Sequence, residues 1–284
     1  MGSTRYDMDA RFDRARKEGY GFKSAGEIFT QNAKRMAHES MNPKGISFRE
    51  SRDSSVHPNS VPIILGLDVT GSMGHIPHEL IKEGLPKLMG GIIQGGVPDP
   101  ALLFLGIGDH ECDAYPLQVG QFESGDEELD MWLTRTYIES GGGGNAGESY
   151  LLAWYFAAFH TRTDAFEKRN QKGLLFTVGD EPCLKTLPAS AIREIMGAGQ
   201  HTFTQFDLLE EARKKYEVYH INVVHSDQAM RADSGWKELL GQNCLSIEDH
   251  REIPNVIKGI ICDTFKNKTF IAGERNGFDN IQMF

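Results

Sequence analysis

The sequence predicts a three-layer α/β domain, in which helices cover both faces of a mostly parallel central sheet. Three observations predict this class: short apolar runs, segments of helical spacing that alternate with them from Pro62 onward, and carboxylates that directly follow the runs. Apolar runs of this length suit strands buried on both faces, and their alternation with helices is typical of βαβ units. We expect an N-terminal extension at residues 1–60, the domain at 61–265 and a C-terminal tail at 266–284.

The three strongest apolar runs are expected to form neighbouring core strands. They span residues 63–68, 101–107 and 173–178, and they end at or just before Asp68, Asp109 and Asp180. Open α/β sheets place their binding sites at the carboxyl ends of their strands. Three carboxylates at that edge would repel one another, and a bound divalent cation would relieve the repulsion.

The remaining elements follow from apolar spacing. Helices are predicted at 25–37, 75–94 (with a kink at Pro86), 126–139, 150–159, 205–216, 235–240 and 254–265, and further strands at 117–122, 218–224 and 244–247. The 150–159 helix is apolar nearly all round, which predicts deep burial against the sheet. The segment 39–60 is polar and interrupted by Pro and Gly, as in a linker or a surface-hugging arm.

Charge is unevenly distributed along the chain, whose formal net charge is −10. Residues 1–60 carry a net charge of +3 and the rest −13. An acidic body disfavours non-specific binding to nucleic acid or to an anionic membrane. The basic arm has two readings: it lies on the acidic body or an acidic partner, or it is a solvated tail.

Composition favours a cytoplasmic protein. No apolar run approaches the roughly 18 residues of a membrane span, and the first residues lack the apolar segment of a secretory signal. The four cysteines are far apart and form no C-x-x-C pair. We therefore expect reduced thiols rather than a disulfide framework or a zinc site.

The loop after the first core strand carries oxygen groups at alternate positions. Asp68, Thr70 and Ser72 follow one another at i, i+2 and i+4. A carboxylate and two hydroxyls that converge at a strand end suit a hard cation such as Mg²⁺. The plain alternative is a turn whose side chains only cap the next helix.

The pentad 68–72 resembles the Asp-x-Ser-x-Ser motif of the von Willebrand factor A (vWA) domain family. The resemblance implies a Rossmann-like α/β fold with a metal-ion-dependent adhesion site, and Asp180 occupies the position of that site's last aspartate. Mg²⁺, or else Mn²⁺ or Ca²⁺, would be held with one open coordination position. An acidic side chain of a partner protein would fill it. The resemblance thus implies an assembly scaffold without catalytic residues rather than an enzyme.

The glycine-rich loop 140–149 departs from the family pattern. Gly144 stands where the family usually has a metal-binding threonine, so Asn145 or Glu148 would have to supply that ligand. The loop, together with Asp109-His110, resembles motifs of intracellular vWA domains such as those of atypical alpha-type protein kinases. For Asp109 and His110 the alternative is a carboxylate that caps a turn beside a surface histidine.

Two other functions remain open. Asp68 to Ser72 also resembles the nucleophile loop of haloacid-dehalogenase-type phosphotransferases, in which Asp68 would accept a phosphoryl group. That family needs a second acid soon after its Gly-Asp metal loop, and Cys183, Leu184 and Lys185 stand there instead. The third possibility is a structural subunit with a vestigial metal site, as the missing threonine suggests.

Overall fold

Strands and helices alternate along the chain from residue 60. The computed structural model describes residues 4–71, 73–139, 147–224 and 226–278. The strands are β1 (Arg49–Ser51), β2 (Ser60–Asp68), β3 (Asp99–Ile107), β4 (Leu117–Val119), β5 (Thr161–Thr163), β6 (Gly173–Gly179), β7 (Thr186–Leu187), β8 (Phe203–Thr204), β9 (Tyr216–Val223) and β10 (Cys244–Ile247).

The α-helices cover both faces of the sheet, and three of them form part of the N-terminal segment. They are α1 (Met8–Glu18), α2 (Ala25–Ile28), α3 (Gln31–Lys34), α4 (His75–Glu79), α5 (Leu85–Gln94), α6 (Asp126–Thr134), α7 (Leu151–Phe159), α8 (Asp164–Arg169), α9 (Ala189–Met196), α10 (Gln205–Lys215), α11 (Asp227–Leu240) and α12 (Ile253–Phe278). Within the described residues, no helix combines the length and apolar character that crossing a membrane requires.

Six strands form the central sheet in the order β10-β9-β6-β2-β3-β4. Every neighbouring pair is parallel except β3 and β4, which are antiparallel at one edge. Successive side chains of a strand point to opposite faces. Leu65 and Phe104 accordingly pack in the core under α5, α6 and α12, whereas Ile64 and Leu103 pack in the core under α7, α9, α10 and α11. The predicted three-layer α/β class is confirmed.

The three predicted core strands are confirmed as β2, β3 and β6, and the predicted helix at 150–159 is α7, which is buried at every residue except Phe159. Four helix predictions are wrong in extent. The helix predicted at 126–139 ends at Thr134, and the helix predicted at 254–265 continues to Phe278. The segment 25–37 forms two single turns, α2 and α3, and the second ends at Arg35 with φ of 50°. The helix predicted to start at Gly235 starts at Asp227, because Ser226 Oγ caps it by accepting the N–H of Ala229 at 3.1 Å.

The predicted kink at Pro86 takes the form of a π-helical turn. Residues Leu80–Gly84 form this turn between α4 and α5, and Leu85 N–H donates to the carbonyl of Leu80. The next residue that could serve the Ile81 carbonyl in this register is Pro86, which has no N–H. The buried guanidinium of Arg11, from α1, donates to the Ile81 carbonyl instead.

The N-terminal segment lies on the acidic body, the first of the two readings. Arg11 Nε lies 2.7 Å from Asp130 Oδ1, and Arg14 lies 2.7 Å from Asp126 and 2.9 Å from Asp130. Farther along, β1 pairs in parallel with β5. At the other end of the chain, α12 continues beyond residue 265 to Phe278.

Candidate metal centre

The candidate site lies where the connections of the sheet change direction. The chain passes from β2 to β3 on one side of β2, whereas β6 lies on the other side. In open α/β sheets the crevice beside such a switch point is the usual place for a ligand. Asp68 ends β2 and Asp180 directly follows β6, so the two carboxylates flank this crevice. Asp68 is 1% exposed and Asp180 is 4% exposed.

Asp68 is held by hydrogen bonds at both carboxylate oxygens. Its Oδ1 accepts from the Thr70 N–H at 2.9 Å and from the Thr70 hydroxyl at 2.6 Å. Its Oδ2 accepts from the Tyr150 hydroxyl at 2.9 Å. Burial raises the pKa of Asp68 to about 7 against these hydrogen bonds, and the nearby charge of Asp180 adds to the increase. A cation bound here would oppose both effects.

Glu148 brings a third carboxyl group to the crevice. Its N–H donates to the Pro182 carbonyl at 2.9 Å and its carbonyl accepts from the Leu184 N–H at 3.0 Å, which fixes it beside the loop after β6. The side chain is buried, and its Oε2 has no hydrogen-bond partner among the described residues. Burial, followed by the charge of Asp68, raises the pKa of Glu148 to about 10.

The structure therefore brings together four of the six predicted ligands: Asp68, Thr70, Asp180 and Glu148. The other two, Ser72 and Asn145, lie outside the described residues. Thr70 is 4% exposed, and its hydroxyl keeps lone pairs for an ion while it donates its proton to Asp68.

Asp109 caps a turn, as its plain alternative predicts. Its Oδ1 accepts the Glu111 N–H at 2.9 Å, and its own N–H donates to Asp113 Oδ2 at 2.7 Å. The expected surface position of His110 is wrong. This ring is half-buried with Nδ1 at 2.7 Å from the Ser149 hydroxyl, and burial lowers its pKa.

The sequence reasoning missed Tyr150, which it treated only as the start of a buried helix. The residue is fully buried, and its hydroxyl reaches Asp68 across 82 positions of sequence. Gly179 is the signal that accompanies this contact. A Cβ at position 179 would lie 1.7 Å from the Tyr150 hydroxyl oxygen, so only glycine leaves room for it.

The donor chemistry of these residues fits a hard cation. Carboxylate and hydroxyl oxygens are the ligands that Mg²⁺ and Ca²⁺ prefer, and the Oε2 of Glu148 is a buried acceptor to which no described residue donates. Within the described parts of the chain, however, no three His, Cys, Asp or Glu side chains are arranged to hold a metal ion. Hydroxyl groups and the loop residues outside the described ranges would have to complete a coordination shell.

Comparison with known proteins identifies no family by sequence. No family model matches the chain, and no curated protein matches it. Solved structures with a related arrangement include the pilus adhesin SpaC from Lactobacillus rhamnosus GG in its open conformation, at 11% identity and a TM-score of 0.48. That alignment covers 76% of this chain and 31% of the adhesin, so the chain spans about a third of the adhesin's length.

Two further structures are described as vWA proteins. The von Willebrand factor type A protein from Catenulispora acidiphila aligns at 11% identity and a TM-score of 0.43, over 72% of this chain and 42% of that one. The SpRpn10 VWA domain aligns at 10% identity and a TM-score of 0.42, over 68% of this chain and 93% of that domain. Structural similarity at this level supports no conclusion about a ligand or a partner. Such conclusions depend on the residues of the site.

Proposed function

We propose that this chain is a vWA-type module that binds another protein through a divalent cation. The observation that carries the proposal is the pair of buried carboxylates, Asp68 and Asp180, at the switch point of a parallel sheet. The Thr70 hydroxyl supports it, and so does the carboxyl oxygen Oε2 of Glu148, which has no hydrogen-bond partner among the residues that the structure describes. The pentad 68–72 and the glycine-rich loop add the resemblance to intracellular vWA domains, including those of atypical alpha-type kinases.

Asp68, Thr70 and Asp180 would hold the ion, with Ser72 and either Asn145 or Glu148 completing the shell. Mg²⁺ is our first choice, and Mn²⁺ or Ca²⁺ would suit the same oxygens. A carboxylate of the partner would bind through the positive charge of such an ion. The four cysteines are free thiols, which fits a reducing compartment, so we place this interaction in the cytoplasm.

Phosphoryl transfer is the less favoured candidate. A nucleophilic carboxylate needs an oxygen open to its substrate. Asp68 is 1% exposed and each of its oxygens already accepts a hydrogen bond from the protein. A structural subunit with a vestigial site remains the alternative to be tested against metal binding.

Thermal unfolding with and without metal tests the proposal. A ligand that binds only the folded state stabilises it by about 2.7 kcal/mol when its concentration is 100 times Kd. Added Mg²⁺ or Mn²⁺ at such a concentration should therefore raise the Tm of the wild type by about 5–10 °C relative to EDTA. The Asp68→Asn variant should lose this shift.

Asp99→Asn is the matched control, because Asp99 is 3% exposed, starts β3 at the opposite edge of the sheet and accepts the Asn59 N–H at 3.0 Å. This variant should keep the metal-induced shift. If Mg²⁺, Mn²⁺ and Ca²⁺ all leave the wild-type Tm unchanged, the binding proposal is wrong and the vestigial scaffold takes its place.

A further inference from the structure

Tyr150 occupies a position that no packing argument alone explains. It is a fully buried phenol whose hydroxyl donates a hydrogen bond to Asp68 Oδ2 at 2.9 Å. With Thr70 on Oδ1, each oxygen of Asp68 is fixed by a donor from a different segment. The carboxylate is 1% exposed, so both donors act on it within the protein interior.

The ring of Tyr150 is fixed by two other aromatic side chains. It meets the Trp236 ring edge to face, with ring centres 5.2 Å apart, and the His220 ring likewise at 5.1 Å. Those two rings stack on each other at 3.5 Å with an interplanar angle of 9°. Because this packing leaves the ring little freedom, the place of the hydroxyl is set by the core.

Gly179 completes the arrangement from β6. Any side chain there would put its Cβ 1.7 Å from the hydroxyl oxygen and 2.6 Å from the ring carbon that bears it. The Gly179-Asp180 dipeptide therefore brings one candidate ligand to the crevice and makes room for the group that orients another. The φ of Gly179 lies outside the left-handed region, so glycine is required at this position for space and not for backbone conformation.

We infer that Tyr150 is a positioning residue of the proposed cation site: its hydroxyl holds the Asp68 carboxylate in the orientation that an ion would need. This inference rests on the function proposed above. Groups that hydrogen-bond to metal ligands keep them in place before the ion arrives, and their loss commonly weakens metal binding 10- to 100-fold. Without the Tyr150 hydroxyl, the buried Oδ2 of Asp68 would have no donor among the described residues.

The test is Mn²⁺ binding to the full-length chain, measured by isothermal titration calorimetry on Tyr150→Phe. Phenylalanine keeps the ring and its aromatic contacts and removes only the hydroxyl. We expect the Kd for Mn²⁺ to rise at least 10-fold, with an unchanged far-UV circular dichroism spectrum. Gly179→Ala, which displaces the same hydroxyl from the other side, should weaken Mn²⁺ binding as well.

Tyr216→Phe is the matched control. Tyr216 is a fully buried phenol whose hydroxyl lies 2.7 Å from the Thr161 hydroxyl, at the start of β9 and away from the crevice. It should keep the wild-type Kd. Equal affinities of Tyr150→Phe and wild type would overturn the positioning role while leaving the cation site intact, and so would equal losses in Tyr150→Phe and Tyr216→Phe. No Mn²⁺ binding by the wild type would overturn the proposed function and this inference together.

Discussion

Two regions of the molecule bury aspartates, and they treat the charge differently. Under α1, Asp130 lies 2.7 Å from Arg11 and 2.9 Å from Arg14, and Asp126 lies 2.7 Å from Arg14. At the crevice, the donors to Asp68 from the described part of the chain are hydroxyl and amide groups. Within the described residues, no Lys, Arg or His forms an ion pair with Asp68 or Glu148.

The difference separates a structural contact from a candidate binding site. Burial raises the pKa of Asp130 to about 6 even though two guanidinium groups lower it. The pKa of Glu148 rises further, to about 10, where burial and the neighbouring carboxylates act in the same direction. Paired carboxylates attach the N-terminal segment to the domain, whereas Asp68 and Glu148, which no cationic side chain of the described residues neutralises, suit a cation from outside.

The largest effect should come from breaking the paired region. Arg11→Ala leaves Asp130 buried with one guanidinium fewer and removes the donor to the Ile81 carbonyl. Loss of one partner of a buried ion pair typically costs about 3–5 kcal/mol. We expect urea unfolding to show a loss of this size in the free energy of unfolding.

Arg16→Ala is the control for this first change, because the Arg16–Asp13 pair joins side chains that are 79% and 77% exposed. Such a pair contributes little, so its loss should stay within about 0.5 kcal/mol. Equal losses in the two variants would show that the buried network does not attach α1.

The second effect concerns pH and the carboxyls of the crevice. Asp68 and Glu148 bind protons more tightly in the folded chain than in the unfolded chain, where their pKa values are about 4. The metal-free protein should therefore lose stability as pH rises from 6 to 8, by up to about 4 kcal/mol, because each group contributes about 1.4 kcal/mol per pH unit between its unfolded and its folded pKa. Urea unfolding at several pH values in EDTA measures this slope.

Glu148→Gln should flatten the pH slope, since glutamine cannot ionise. Saturating Mg²⁺ should flatten it in the wild type, because an ion competes with the protons. A wild-type slope that neither the substitution nor the ion changes would mean that Glu148 does not carry a raised pKa.

The smallest effect is expected from removing the Thr70 hydroxyl. This hydroxyl binds the Asp68 carboxylate, whereas guanidinium groups bind the Asp130 carboxylate. Thr70→Val keeps the shape of the side chain and removes the 2.6 Å hydrogen bond to Oδ1. We expect a loss of about 1.5–3 kcal/mol in thermal unfolding, the usual contribution of a hydrogen bond to a charged group. Thr136→Val, which removes a 3.5 Å bond to the Trp132 carbonyl, should cost less. The reverse order would contradict the comparison.

The apolar pattern of the sequence predicts the strands that carry the site, but not the contacts between distant segments within it. The apolar runs of β2 and β6 predict two parallel strands, and the strand ends then place Asp68 and Asp180 at one edge. Nothing local predicts that Tyr150 donates to Asp68, because that contact depends on how α7 packs against both strands. The half-buried position of His110 depends in the same way on Ser149, 39 positions away.

Short elements were missed for a different reason. Six- and eight-residue helices such as α8 and α9 are too brief for a helical period to emerge from their sequence. Their boundaries are set by capping and tertiary contact instead. Thr163, for example, starts α8 by accepting the Phe166 N–H at 3.3 Å.

The π-helical turn before α5 makes two distant positions depend on each other. Pro86 leaves the Ile81 carbonyl without a main-chain donor, and Arg11 supplies one from a helix 70 positions earlier in the chain. Neither residue can be judged alone: an N–H at position 86 would lessen the need for the arginine, and without the arginine the proline becomes harder to tolerate. Substitutions at 11 and 86 should therefore be non-additive, so the stability of the N-terminal segment and that of the domain are coupled.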